Sequence, residues 1–254
     1  MPLTFPSHAA AVLPFSRRGG WLPPAALVVG STAPDLAYLF GLNHCNFHLW
    51  PGLVWPCLPI AFGVWLFFEW VLLPWVAVLV GETWGDQATV LARTRGTPTS
   101  LRGVTAAIIA LAVGALTHVT WDGFTHAWRW PASATYGAVH VGRWLLTDVL
   151  QAGSHLLGLA LVWRAARRLT PRARWSEPRV TARAWRFVLV LAGCELTALG
   201  LLAARGLPVT STPAFSAAWE TFWWSSRALL LAMTLCAVTE RVRTIVSRLL
   251  FRAG

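Results

Sequence analysis

The chain has 254 residues, of which 56% are hydrophobic and only 12% are charged, and its mean hydropathy is +0.55. These values exclude an ordinary soluble globular domain and predict a membrane protein. The net charge of +11 comes from arginines in blocks beside apolar segments. Anionic lipid and the positive-inside rule account for such blocks, so we expect no nucleic-acid partner.

The first 50 residues are too broken by proline and glycine to predict a membrane span. Ser7, followed by His8 and several alanines, is typical of a helix start. The stretch Ala25–Gly30 is apolar enough to enter the membrane, and a further helix is expected to begin near Pro34 with Asp35 in its first turn. No basic region precedes an apolar core and a small-residue cleavage site, so we expect no removable signal peptide.

Five apolar stretches predict membrane-spanning helices of about 20 residues. They are Leu58–Val80, Val104–Thr120, Val149–Trp163, Phe187–Ala204 and Ala217–Val238. Pro74 can end the first of them early and leave a surface helix there. The expected fold class is all-α, a polytopic membrane helical bundle with about five transmembrane helices.

Arginine blocks predict how the spans are oriented, because loops rich in arginine stay in the cytoplasm. The blocks lie before the second span, between the third and fourth spans, and after the fifth span. The C-terminus is then cytoplasmic, and residues 1–50, His118–Asp148 and Arg205–Ser216 face outside. All 21 basic residues are arginine, which is typical of a GC-rich bacterial genome, so we expect a multi-pass protein of the bacterial inner membrane.

One of these blocks also divides the chain, because it is rich in both arginine and proline. We predict a cytoplasmic linker over residues 164–186. Residues 1–163 would form a membrane domain that carries the functional site, and residues 187–254 would form a two-span hairpin.

A polar motif ends the second predicted span. His118, Asp122 and His126 follow one another at intervals of four residues, and positions i, i+4 and i+8 cover only about 80° of a helix surface. Imidazole and carboxylate groups are zinc ligands. The motif therefore predicts half of a metal site, with ordinary capping of a helix end as the alternative.

Other polar residues gather on the same predicted outer side. Five of the seven histidines and two of the ten acidic residues lie there, namely His8, Asp35, His44, His48, His118, Asp122 and His126. Metal ligands commonly come from several helices at one depth, so we predict that at least four of these residues share a metal. We interpret His44 and His140 as loop residues. Gln151 and His155 are secondary candidates, with His155 alternatively a buried polar residue bonded to a neighbouring helix.

The chain resembles a family of bacterial membrane proteins described as domain of unknown function 4184. The matching segments are Pro6–Pro14, Gly30–Asp35, His48 with Gly52 and Cys57–Pro59, His118–His126, and Leu150–Gln151 with Gly153–Ser154 and Leu157–Gly158. They cover about residues 1–160 in the expected order. This resemblance implies no particular activity.

More distantly, the order of histidines and aspartates is similar to that of the zinc-dependent phospholipase C and single-strand nuclease fold, and of membrane-bound metal-dependent hydrolases. The resemblance implies a helical bundle with up to three zinc ions that hydrolyses phosphoesters. It implies one site formed by Asp35, His48, His118 and Asp122, a second that includes His126, and a third approached by His8 with Asp122. The phospholipase pattern ends in HxxxE, whereas His140 here is followed four residues later by Trp144, so we expect one or two zinc ions.

The resulting hypothesis is a metal-dependent hydrolase that acts on a phosphoester or lipid-linked substrate at the outer face. Asp35 would orient or deprotonate a water molecule, and Arg129 or Arg143 would bind the substrate phosphate. Membrane lipid is the expected partner.

The sequence leaves other functions open. One is a non-catalytic protein that binds metal to stabilise the bundle or to sense the metal. Another is a haem protein, with His118 and His155 as axial ligands. The third is a transporter, because the charged residues Glu69, Glu195 and Arg227 lie within predicted spans. An ion pair between Glu195 and Arg227 is the simpler explanation for those two charges.

Overall fold

The structure, a computed structural model, describes residues 5–16, 20–42, 45–84, 100–169, 181–205 and 213–252. The helices in these ranges are α1 (Phe5–Ala11), α2 (Pro24–Thr32), α3 (Leu36–Phe40), α4 (Leu58–Phe67), α5 (Leu73–Trp84), α6 (Leu101–Thr125), α7 (Ala132–Thr135), α8 (Leu146–Leu169), α9 (Ala182–Arg205) and α10 (Pro213–Arg252). Short antiparallel strands, β1 (His140–Val141) and β2 (Trp144–Leu145), form a hairpin. The predicted all-α class is confirmed.

Several predicted boundaries shift in the structure. Ser7 lies inside α1, which already includes Phe5. Asp35 ends a 3-10 turn, Ala33–Asp35, directly before α3, close to the predicted helix start. The ends of the predicted linker are helical, because α8 continues to Leu169 and α9 begins at Ala182. The middle of that linker and His44 lie outside the described residues.

Among the described residues, two helices are long and apolar enough to cross a membrane. They are Leu53–Leu79 and Leu101–Thr125, and they contain most of the first and second predicted spans. The other three predicted spans lie within the helices α8, α9 and α10, and their crossing of a membrane stays a prediction. The first span passes Pro74 without ending, because a π-helical turn, Phe68–Leu72, leads into α5 at that point.

The chain packs as two compact units. The first contains Met1–Trp65 and Gly96–Pro171, and the second contains Leu66–Arg95 and Arg172–Gly254. The second unit therefore takes residues 66–95 as well as the C-terminal segment. The division into a site-bearing domain (residues 1–163) and a two-span hairpin (residues 187–254) stays a prediction.

In the first unit, α2 packs closely against α6, and α1 packs against α8. Both helices bury small or apolar residues, among them Ala26, Leu27, Gly30 and Ser31 in α2, and Ala107, Ala110, Leu111 and Gly114 in α6. A Cβ atom on Gly30 would lie 2.3 Å from the Leu111 carbonyl oxygen, and one on Gly114 would lie 2.4 Å from the Leu27 carbonyl oxygen. The two backbones therefore touch, which is the packing that small residues permit between helices in membranes.

In the second unit, α9 packs against α10, and Leu72, Trp75 and Ala237 form a buried apolar cluster. Pro74 has no N–H group, so the carbonyl of Trp70 loses the donor that an α-helix would place four residues later. The guanidinium of Arg241 on α10 donates a hydrogen bond to this carbonyl. Arg241 thus compensates for the proline.

We expect Arg241→Ala to lower the free energy of unfolding by about 1 kcal/mol, because the Trp70 carbonyl loses its donor. In a Pro74→Ala background the backbone regains an N–H group that can donate to the Trp70 carbonyl. Arg241→Ala should then lower the free energy of unfolding by clearly less. Thermal unfolding of the two single variants and the double variant in detergent measures this difference. An equal cost in both backgrounds would contradict the proposed compensation.

Candidate metal centre

The end of α6 positions the three residues of the predicted motif. Ser100 caps the helix start by accepting a hydrogen bond from the Gly103 N–H group at 3.2 Å. His118 and Asp122 lie in the last two turns, and His126 follows as the C-cap with its N–H group bonded to the Asp122 carbonyl. The carboxylate of Asp122 lies 3.5 Å from His118 Nε2 and 3.6 Å from His126 Nδ1.

The ring of His118 is held by α2. Its Nδ1 lies 2.7 Å from the carbonyl oxygen of Ser31. A carbonyl only accepts hydrogen bonds, so Nδ1 carries a hydrogen, and Nε2 is the ring atom that faces His48, Asp35 and Asp122. His8 from α1 stacks on the same ring, with the ring centroids 3.8 Å apart. This kind of carbonyl partner fixes the tautomer of metal-binding histidines.

Three potential ligand atoms surround Nε2 of His118. They are His48 Nε2 at 3.2 Å, Asp122 Oδ2 at 3.5 Å and Asp35 Oδ1 at 3.7 Å. His48 Nε2 also lies 3.3 Å from Asp35 Oδ1 and 3.5 Å from Asp122 Oδ2.

The distances within each group of three ligand atoms suit one metal ion. Two ligands that bind a metal at about 2.1 Å with tetrahedral angles lie about 3.4 Å apart. Asp35, His48 and His118 form one such group, with all its ligand atoms within 4.8 Å of one another. The buried histidine and aspartate groups can therefore hold a metal ion.

The other oxygen of Asp122 faces a second set of residues. Oδ1 lies 3.5 Å from His8 Nε2 and 3.6 Å from His126 Nδ1. His8, His118 and Asp122 form a second group with ligand atoms within 4.8 Å of one another. Gln151 on α8 borders this group, with its Nε2 3.4 Å from His126 Nε2. Asp122 thus lies between two candidate ligand sets.

Burial and charge in the cluster also fit a metal. His8 Nε2 and Asp122 Oδ1 are buried and make no hydrogen bond to any described residue. Burial, together with the nearby His118, lowers the pKa of His8 to about 3, so its imidazole is neutral at neutral pH. Burial alone would raise the pKa of Asp35, but the neighbouring His118 and a hydrogen bond with His48 hold it below its usual value. Burial lowers the pKa of His126.

The structure separates the remaining predicted candidates. Gln151 is buried beside His126, whereas His155 belongs to neither candidate ligand group among the described residues. Arg143 lies in the hairpin turn over the ring of Trp144, with 5.1 Å between the guanidinium carbon and the ring centroid.

Two of the charged residues in predicted spans are described in the second unit. Glu69 is fully buried, and the guanidinium of Arg227 lies over the ring of Trp224.

Arg129 instead lines a cavity beside the cluster. The cavity has a volume of about 480 Å³. His48 forms part of its wall, together with Tyr38, Asn46, Trp128 and Trp130. His48 therefore belongs both to the candidate metal centre and to a space large enough for a small ligand.

Sequence reasoning missed three of these contributors. Ser31 acts through its backbone carbonyl, which has no side-chain signature. Asn46 lies in a loop with no periodic pattern. Tyr38 had a usable signal, since it follows Asp35 by three residues and therefore shares its helix face.

The fold and the site thus define a helical protein with apolar helices of membrane-spanning length and a buried histidine–aspartate cluster that can hold a metal. The chain belongs to the family described as domain of unknown function (DUF4184), whose model matches residues 1–243. No curated protein and no solved structure matches the chain.

Proposed function

We propose that the protein is an integral membrane hydrolase that depends on zinc and acts on a phosphoester or lipid-linked substrate. The observation that carries this proposal is the group of Asp35, His48 and His118, with the Asp122 carboxylate in contact with both histidines, beside a cavity lined by an arginine. Nitrogen and oxygen ligands at these distances suit zinc. A zinc ion held there would lower the pKa of a water molecule towards 7 and polarise a phosphoryl oxygen.

The chain's own residues have distinct roles in this proposal. His118, oriented by the Ser31 carbonyl, and His48 supply neutral nitrogen ligands. Asp35 binds through Oδ1 and keeps its second oxygen to accept a proton from water, which agrees with its side chain being the most exposed of the four, at 13%. Asp122 joins this set to His8 and His126, so one or two ions can be held.

The distant resemblance to zinc-dependent phospholipases supports the same reaction class. In that pattern a final glutamate follows a histidine, and this chain lacks it. Gln151 lies beside His126 instead, and a neutral amide is a weaker metal ligand than a carboxylate. The departure therefore favours one or two ions over three.

Exposed apolar side chains support the proposed membrane topology of about five spans, with the centre on the outer face and the C-terminus in the cytoplasm. On α8, Leu156 is 73% exposed, and on α9 Leu196 is 71% exposed. Such residues favour contact with lipid. Arginines at the end of α8 and the start of α9 agree with a cytoplasmic connection between these helices.

Metal content tests the proposal. We expect the protein purified in detergent to contain close to one or two equivalents of zinc by elemental analysis, and His118→Ala to lose most of it. His140→Ala is the matched control, because His140 is exposed in the hairpin and should leave the zinc content unchanged. A screen of phosphoester substrates should then show activity that His118→Ala loses. Well-folded wild-type protein without metal would overturn the proposal.

One second candidate is a protein that binds metal without catalysis. Four protein ligands fill a structural zinc site completely, and the two candidate groups together contain five potential ligand residues. Stoichiometric zinc with no hydrolysis of any phosphoester, lipid substrates included, would favour this candidate.

A further inference from the structure

We propose that the cavity beside the candidate metal centre binds the phosphorylated head group of a membrane lipid, with Arg129 as its anion ligand. This inference rests on the proposed function and narrows its substrate from phosphoesters in general to phosphorylated lipids. Three features of the first unit carry it: an arginine in the cavity wall beside His48, a rim of exposed tryptophans, and the position of that rim near the ends of two apolar helices.

Arg129 supplies the charge. Its side chain lines the cavity, and its Nε is buried and makes no hydrogen bond to any described residue. A guanidinium pairs best with carboxylate or phosphate oxygens, so the charge of Arg129 favours an anion in this cavity. The hydroxyl of Tyr38 and the amide of Asn46 add hydrogen-bonding groups to the same wall. The cavity thus has the chemistry of an oxyanion site beside His48.

Aromatic side chains surround the cavity. Trp128 and Trp130 line it and are 73% and 79% exposed, and Leu49, also in its wall, is 57% exposed. Large apolar side chains in water are unfavourable, whereas tryptophan is favoured where lipid head groups meet the apolar core of a bilayer. An aqueous substrate would not require such a rim.

The rim lies at one end of both apolar helices. Leu49 precedes the start of Leu53–Leu79 by four residues, and Trp128 follows the end of Leu101–Thr125 by three. Both residues line the cavity, so its wall lies within four residues of one end of each helix. Trp50 and Trp55, close to Leu49 in the chain, are also exposed, at 77% and 73%. The cavity therefore opens at the level where the head groups of a bilayer lie, and its size of about 480 Å³ suits a head group whose acyl chains stay outside.

Binding of a short-chain phosphatidic acid to the full chain in neutral detergent tests this inference. Glycerol 3-phosphate is the soluble comparison, and the matching diacylglycerol is the comparison without phosphate. We expect the phosphatidic acid to bind at least about tenfold more tightly than either, since it alone engages both Arg129 and the apolar rim. Arg129→Gln should weaken its binding about 10- to 100-fold.

Two further variants separate the contributions. Arg143→Gln is the matched control, because Arg143 lies in the neighbouring hairpin and outside the cavity wall, and it should leave binding unchanged. Trp128→Ala should weaken binding of phosphatidic acid but not of glycerol 3-phosphate. Equal affinity for phosphatidic acid and glycerol 3-phosphate would overturn the lipid assignment. Phosphatidic acid binding that Arg129→Gln leaves intact would overturn the anion site.

Zinc measured in the same samples distinguishes failure of this inference from failure of the proposed function. Stoichiometric zinc without phosphatidic acid binding would reject the lipid site and leave the metal centre standing. Absence of zinc together with absence of binding would reject both.

Discussion

An Asp122→Asn variant is expected to lose nearly all of the metal. The carboxylate of Asp122 contacts His48 and His118 through Oδ2, and His8 and His126 through Oδ1. Asparagine keeps the shape but removes the charge and replaces one oxygen with an NH₂ group that cannot bind a cation. Changes in groups that merely orient ligands cost about 10- to 100-fold in metal affinity, so loss of this ligand should cost more than about 100-fold.

The effect should appear in both zinc content and thermal stability. Metal present at 100 times its Kd stabilises a folded protein by about 2.7 kcal/mol. A chelator should therefore lower the Tm of the wild type and leave that of Asp122→Asn nearly unchanged. Asp148→Asn, at the exposed start of α8, should behave as the wild type. Full zinc content in Asp122→Asn would show that Asp122 is not a ligand.

A Gly114→Ala variant is expected to be destabilised by about 1–3 kcal/mol, because an added methyl group forces apart two helices that are in backbone contact. Its Cβ would lie 2.4 Å from the Leu27 carbonyl oxygen and 2.5 Å from the Ser31 nitrogen. Neither backbone atom can move without shifting α2. Such a shift would also carry the Ser31 carbonyl away from His118, so zinc affinity should fall with stability.

Gly153→Ala is the control for this substitution. Gly153 lies in α8 of the same unit, and a Cβ there would meet no atom within 4 Å. Alanine is favoured over glycine in a helix by about 0.5–1 kcal/mol, so this variant should be as stable as the wild type or slightly more stable. Thermal unfolding in detergent compares the two variants. Equal melting of Gly114→Ala and wild type would mean that α2 and α6 are less tightly packed than in the structure.

The all-α class could be predicted from the sequence, because long apolar stretches leave backbone groups to be satisfied within helices. The sequence also predicted a first span that includes Pro74, but it could not show how the helix passes this proline. That passage depends on a π-helical turn and on the distant Arg241, which donates to the Trp70 carbonyl. A proline that looks like a helix end therefore lies within a continuous span.

At the candidate site, helical spacing alone indicated that His118, Asp122 and His126 share a face. Their grouping with His8, Asp35 and His48 was predicted from membrane topology, and in the structure these residues do lie together. The sequence could not separate Arg129 from Arg143, or Gln151 from His155. Gln151 and His155 are separated by one helix turn, and Arg129 and Arg143 by a loop, so the members of each pair are close in the chain but have different neighbours.

The sequence by itself determined the apolar helices and the row of ligands at the end of α6, because both follow from the local periodicity of a helix. Only the tertiary structure decided which oxygen of Asp122 faces which imidazole, and that the Ser31 carbonyl orients His118. These contacts depend on how closely α2 approaches α6. That distance is set by Gly30 and Gly114, which are far apart in the chain and come into contact only when the helices pack.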